Sequence, residues 1–281
     1  MILYHYCSVE SFEKILESKV LWLTDVTQSN DSEEVFQTFR ILWGHIRQRL
    51  LGSDLNIDIV SKEVAIIDKQ FELELLIDLP FGCCFCKNGD ELQQWKEYGD
   101  NTKGISIGFN FDWFPGLLRQ LPHPKTSIEM SIGYDDVIYN CDEIEDWFFE
   151  LCYNSISQIG LPAWILAIRP TFKYYSAFIK NNSFHGEYEA RIVYFPLESH
   201  DLSNNVFNIT GPIDNPKKHY CLPWGRSETD FALCEVILGC NCEMDPDIVK
   251  GKLFDSGLNR KIKISKSSSS YRIIEHVLMS Q

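Results

Sequence analysis

Two glutamates one residue apart, Glu187 and Glu189, stand in the stretch "HGEYEARIVYF", residues 185 to 195, ahead of an apolar, β-branched and aromatic run. Side chains alternate along a strand, so residues two apart share a face, where like charges repel unless they are solvated, paired or used. Paired carboxylates suit reactions in which positive charge develops on a sugar. One binds a ribose hydroxyl and stabilises the cation, while the other positions or deprotonates an acceptor. Cleaving a nicotinamide–ribose bond further requires ring faces to sandwich the nicotinamide and a hydrogen-bonding group to orient it. His5 in the first predicted strand and Trp22 in the second supply these, in the chain order His5, Trp22, Glu189. A plainer reading competes: strand aromatics and histidines are usually core residues, and either glutamate can pair with Arg191, which shares the strand face.

Other chemistries lack their signatures. The chain has no Walker glycine loop, no G-x-G-x-x-G opening a helix, no H-E-x-x-H and no G-x-S-x-G elbow. Cys83, Cys84 and Cys86, and again Cys240 and Cys242, follow C-x-C spacing in apolar strands. This spacing lacks the loop geometry of zinc sites and predicts buried thiols, so no metal is expected. A metal nuclease built on Glu187 and Glu189 would need a lysine where Arg191 stands.

The elements that must position these residues follow from periodicity. "MILYHYC" reads as a strand, Ser8 with Ser11 caps an amphipathic helix bearing Phe12, Ile15 and Leu16, and "VLWLT" returns to extended chain. Asn30, Asp31 and Ser32 are suited to cap the next helix, and a second helical region covers roughly 58 to 78, before Pro80. "PFGCCFCK" and "KGISIGFNF" read as strands around the short helix "GDELQQWKEYGD", on which Trp95 and Tyr98 are spaced to face inward together. Residues 129–180 mix a strand around Ile138 with aromatic-rich helices, as an insertion or lid. Later strands are expected at 188–195, 234–239 and 261–265. The expectation is an α+β fold over 1–281 as a single domain, with a split, mixed or antiparallel β-sheet flanked by helices.

Composition narrows the setting. At 281 residues with 44% hydrophobic content, the chain has ample material for a core. Its N-terminus lacks a basic region followed by an apolar run, and no window approaches the length of a membrane span, so no membrane association is expected. Ten cysteines without a signal peptide suggest reduced thiols and a cytoplasmic location. A net charge of −14 argues against general binding to phosphate backbones. Charge is nonetheless segregated: residues 129–150 carry eight acids and no Lys or Arg, whereas 250–272 carry seven bases and one acid, Asp255. Solvated faces account for both more simply than a nucleic-acid contact.

Four blocks, "LYHYCSVESFEKILESKVLWLTDVTQSNDSEE", "CFCKNGDELQQWKEYGDNTKGISIGF", "KNNSFHGEYEARIVY" and "EVILGCNCEMDPDIVKGKLFDSGLNRKIKISKSSSSYR", together resemble a bacterial family, the domain-of-unknown-function family 2971. A second resemblance is to the ADP-ribosyltransferase superfamily, whose NAD site joins a strand-one His or Arg, a strand-two hydroxyl or aromatic, and a late Glu. Glu187-Tyr188-Glu189 is also similar to the E-x-E turn of its arginine-modifying members. The chain departs from the pattern at strand two, where "LWLTD" has no tyrosine. This second resemblance implies an ADP-ribosyltransferase-like fold and NAD as substrate, with a transferase or NAD glycohydrolase acting on a protein or nucleic-acid acceptor. A bacterial toxin or phage-defence effector, restrained by a partner protein or antitoxin, would fit it. It assigns His5 to the nicotinamide ribose, with Tyr6 beside it. Trp22 or Thr24 lines the nicotinamide pocket, Tyr98 covers it, Glu189 polarises the ribose 2′-hydroxyl, and Glu187 serves the acceptor. Arg191 completes the set as a cofactor-binding residue. The alternative is a nucleotide-binding or protein-interaction module on the same scaffold without turnover, in which Glu189 is tied to Arg191. Phosphate transfer from RNA to NAD fits less well, because only Arg191, Lys173 and Lys180 offer positive charge near the glutamates.

Overall fold

The computed structural model describes residues 1–26, 32–74, 80–114, 118–119, 132–158, 175–195, 207–210, 217–258 and 261–271. The expected cap at Asn30 and Asp31, and Lys173, lie outside them. The chain is α+β, with mixed, largely antiparallel β-structure, and it divides into two compact units.

The first unit comprises residues 1–21, 85–115 and 223–281. Strand β1 (Ile2–Cys7) runs antiparallel to β4 (Ile105–Asn110), with His5 opposite Ile107. In turn β4 pairs antiparallel with β10 (Leu233–Leu238), which pairs parallel with β11 (Lys263–Lys266). Between β1 and β2 (Val20–Asp25) lies α1 (Val9–Ser18), started by the Ser8 side chain accepting from the Ser11 N–H, as its sequence predicts. Lys19 ends this helix in the left-handed conformation, and Phe12 and Leu16 are buried.

Helix α4 (Leu92–Glu97) buries Trp95 against Tyr6, edge to face with ring centroids 4.8 Å apart. Tyr98 does not join it. That residue is the C-cap of α4 and is 44% exposed, because the helix ends before a second inward turn forms. A second departure is helix α6 (Pro246–Asp255), with Asp245 as N-cap and Pro246 in its first turn.

After β11 the serine-rich segment is pinned by one carboxylate. Asp90 Oδ1 accepts from Ser267 Oγ (2.5 Å) and Trp95 Nε1 (2.8 Å), while Oδ2 accepts from the Ser268 N–H and Oγ, both at 2.7 Å. Farther along, the Tyr271 carbonyl accepts from the Cys240 thiol and from Asn241 Nδ2.

The second unit comprises residues 22–84 and 116–222. Here β2 pairs antiparallel with β3 (Phe81–Cys86), Thr24 opposite Gly82. The short β5 (Leu118–Arg119) pairs parallel with β6 (Ile132–Asp136), and β6 pairs antiparallel with β7 (Glu189–Tyr194), Asp135 opposite Arg191. The hairpin of β8 (Phe207–Thr210) and β9 (Lys217–Pro223) sets Thr210 opposite Lys217. Strand β7 also pairs with β3, and β2 with β9. Helices α2 (Ser32–Leu51), α3 (Ile57–Glu74) and α5 (Asp142–Gln158) enclose a core that includes Trp43, Ile46, Val64 and Phe148. Within residues 129–180, β6 is thus part of the sheet and α5 part of this core. Among the described residues no helix is long and apolar enough to cross a membrane.

The strand expected around Ile138 lies slightly earlier, at 132–136, with Ile138 itself in a single parallel bridge to Ile179.

The Asp90 tie has a pH signature. Burial works to raise its carboxyl, but donors from Ser267, Ser268 and Trp95 prevail and hold it below its ordinary value. A depressed folded-state value means the tie contributes fully above the unfolded carboxylate range, near pH 4, and is lost as pH falls through the folded value. Protection of the amides of residues 267–271 against hydrogen exchange, taken relative to the intrinsic rate at each pH, is therefore expected to be high at pH 7 and to fall on acidification below about pH 4. In Asp90→Ala this protection should be low at both pH values.

Candidate functional site

The residues singled out for chemistry fall into two groups by unit: His5, Tyr6 and Tyr98 in the first, and Trp22, Thr24, Glu187, Glu189 and Arg191 in the second. The glycosidic reading, which requires His5 opposite Glu189, therefore joins residues of different units.

In the first unit, His5 is half-buried on the face of β1 that also bears Leu3. Its ring lies 5.7 Å from that of Phe85, which packs edge to face on Phe109 and Phe111. Tyr6 points the other way and is occupied: its hydroxyl donates to the Asn88 carbonyl and accepts from the Glu91 N–H, each at 2.8 Å. Burial raises that phenol far above its ordinary value, so it stays a neutral clamp on the loop before α4.

The second unit corrects the geometry expected of the two glutamates. Glu187 is not on a strand but ends a 3-10 helix, Asn182–Glu187. Tyr188 follows in the left-handed conformation at φ 48°, exposed by 50%, and β7 starts only at Glu189. A single residue turning the wrong way for a strand cancels the alternation, and both carboxylates converge on Lys180. Lys180 Nζ donates to Glu187 Oε2 at 2.5 Å and to Glu189 Oε2 at 3.3 Å, and lies 4.6 Å from the centre of the Phe184 ring.

Arg191 closes the network. Its Nε donates to Glu189 Oε1, its Nη2 to Oε2 at 3.1 Å, and its Nη1 to the Ala177 carbonyl at 2.9 Å. The pairing of Glu189 with Arg191 predicted from their shared strand face is thus present, but buried rather than on the surface. Tyr139 accepts from the Glu189 N–H at 3.0 Å, and burial is the main cause of its raised phenol. Burial alone would raise the Glu189 carboxyl, yet Arg191, then Lys180 and a hydrogen bond from Cys84, hold it at about 2. Although Cys84 as a residue keeps exposed surface, withdrawal of its sulfur from water, and next the charge of Glu189, push its thiol well above its ordinary value. Cys84 departs from the expected buried set: Cys83 and Cys86 are buried, but Cys84 is exposed. All ten cysteines are free thiols.

Trp22 and Thr24 stand on the same sheet face. Directly opposed residues of an antiparallel pair share a face, so the register of Thr24 with Gly82 puts Trp22 and Thr24 on the sheet face of Cys84, two residues from Gly82 and hydrogen-bonded to Glu189. Between them and β8 sits His219, which sequence reasoning missed. Its Nδ1 lies 3.1 Å from Thr24 Oγ1 and its Nε2 2.8 Å from Thr210 Oγ1, and Trp22 stacks on the imidazole at 4.7 Å between centroids. The available signal was the alternation in "KKHYC", which puts Lys217 and His219 on one face. Among the described residues no three His, Cys, Asp or Glu side chains are grouped to hold a metal ion.

A family model described as a protein of unknown function (DUF2971) matches residues 94–192, a span containing Lys180, Glu187, Glu189 and Arg191. This match supports the family resemblance of the sequence blocks. No curated protein and no solved structure matches the chain.

Removing one partner of a buried ion pair strands the other charge, at a cost of about 3–5 kcal/mol. Arg191→Met is expected to lose roughly that much stability in urea unfolding followed by tryptophan fluorescence. Because the folded value of Glu189 is depressed, the network contributes above the ordinary carboxylate range and weakens as pH falls from about 4 through about 2. The wild-type advantage over Arg191→Met should shrink in parallel.

Proposed function

We propose that the protein is a nucleotide-binding module whose second unit takes an NAD-class ligand on the face bearing Trp22 and Thr24, without cleaving it. The observation that carries this reading is the occupancy of Glu189. Its two oxygens receive two donors from Arg191, one from Lys180 and one from Cys84, which match the roughly four lone-pair positions of a carboxylate. A carboxylate so engaged holds the start of β7 in place and does not turn an oxygen toward a ribose hydroxyl. Arg191, with its donors on Glu189 and Ala177, belongs to the same scaffold. The support for a nucleotide is the fixed aromatic surface of Trp22 and His219 on that face. The free thiols support a cytoplasmic location for the module.

A second reading, an ADP-ribosyltransferase or NAD glycohydrolase of the toxin or phage-defence kind, is favoured by one specific feature. Glu187 and Glu189 meet the same ammonium, so release of Lys180 would present two ionised carboxylates together. On this reading a protein or nucleic-acid acceptor would sit beside Glu187.

Incubating the purified protein with NAD decides between them. Calorimetric binding of NAD with no nicotinamide released, with or without cell lysate as a source of acceptor, is the expected result. Release of nicotinamide that is lost in Glu187→Gln, with the melting temperature unchanged, would replace the module by the enzyme. No binding and no release would remove both.

A further inference from the structure

Trp22, Thr24, Thr210, Lys217 and His219 together have the make-up of a subsite that neither the paired glutamates nor the family match assigns. His219 is buried, and both its ring nitrogens are engaged by threonine hydroxyls on two different strands, which fixes the plane of the imidazole. Trp22 lies on that plane at an interplanar angle of 21° and is still 40% exposed, so one indole face is supported from beneath while surface remains for a ligand. Pinning matters because a stacking platform that is already ordered loses little entropy when a ring settles on it. Lys217 is exposed, two residues from His219 on the same face of β9 and opposite Thr210. Its positive charge is felt at the imidazole, whose proton affinity is lowered first by burial and then by Lys217, leaving the platform neutral with the Lys217 ammonium beside it.

We propose that this platform is the binding site for a purine nucleoside phosphate, with the base stacked on Trp22 and the phosphate against Lys217. The inference rests on the nucleotide-binding reading above and specifies which part of the ligand the site takes. It moves Trp22 away from the nicotinamide role that the ADP-ribosyltransferase resemblance implied. Two features choose the purine end. A bicyclic neutral base covers more of an indole face than a pyridine ring does, and base–aromatic stacking grows with that overlap. The nicotinamide ring of oxidised NAD is itself cationic and would sit beside Lys217, whereas a phosphate on a neutral base is attracted by it. The paired face of Tyr194 and Tyr220, stacked at 3.8 Å, is turned to the other side of β9 and is not part of the site.

The test is titration of the full chain with adenosine 5′-monophosphate and, separately, nicotinamide mononucleotide, followed by calorimetry and tryptophan fluorescence. Adenosine monophosphate is expected to bind and to quench, and nicotinamide mononucleotide to bind at least about fivefold more weakly. Trp22→Ala should weaken the adenosine nucleotide by about tenfold or more, the loss of one stacked base. Lys217→Glu should weaken it by at least about fivefold, with a shallower salt dependence. Both residues are exposed enough for the variants to fold, which a melting temperature within about 2 °C of wild type verifies. Equal binding of the two mononucleotides would overturn the choice of the purine. Absence of adenosine monophosphate binding, or binding unchanged in Trp22→Ala, would overturn the site. Binding of adenosine monophosphate without binding of NAD would leave the subsite standing and remove the dinucleotide reading.

Discussion

Four buried charges in the second unit must neutralise one another, and the local backbone is arranged around that requirement. A carboxylate or ammonium withdrawn from water is tolerated only when paired and hydrogen-bonded. Glu187, Glu189, Lys180 and Arg191 are all nearly inaccessible, and each is held by an opposite charge in this group. The left-handed Tyr188 follows from it. With the strand broken there, Glu187, at the end of a 3-10 helix, and Glu189, at the start of β7, meet the same ammonium. The ring of Phe184 against Lys180 and the Tyr139 hydroxyl on the Glu189 N–H close the remaining sides.

That constraint gives one sheet face two ends of different character. The charged end is saturated by its own partners, and its polar atoms serve to hold β7 and the 177–180 segment together. The aromatic end has the opposite character: Trp22 rests on an imidazole clamped by Thr24 and Thr210 and keeps surface toward solvent. Rigid support beneath an exposed ring is what a stacking site needs, whereas a carboxylate with every oxygen engaged is poorly placed to meet a new hydroxyl.

In the first unit, Asp90 has a comparable organising part with weaker electrostatics. One carboxylate receives Trp95 from the helix beside it and two serines from a segment 177 and 178 residues away in sequence. Tyr6 fixes the same loop from below through its hydroxyl. The donors are neutral, so the tie depends on the ionisation of Asp90 alone, in contrast to the mutually neutralising pairs around Glu189.

By itself the sequence determined the elements whose signals are local. The Ser8 cap with Phe12 and Leu16 one turn apart, the apolar runs of β3, β4 and β10, and the shared face of Glu189 and Arg191 all follow from side-chain periodicity and capping chemistry. Helix α6 had a readable start in Asp245 and Pro246 but was obscured by Gly251 in its middle. Tertiary structure decided the rest, because the causes lie far apart along the chain or in rare backbone states. A tyrosine with positive φ is uncommon enough that periodicity assigns it to a strand, and only Lys180 shows why it turns. His219 draws its meaning from Thr24, 195 residues away, and from the indole stacked on it. Tyr98 shows the converse, since i, i+3 spacing with Trp95 places a residue inward only if the helix continues, and α4 stops one residue short.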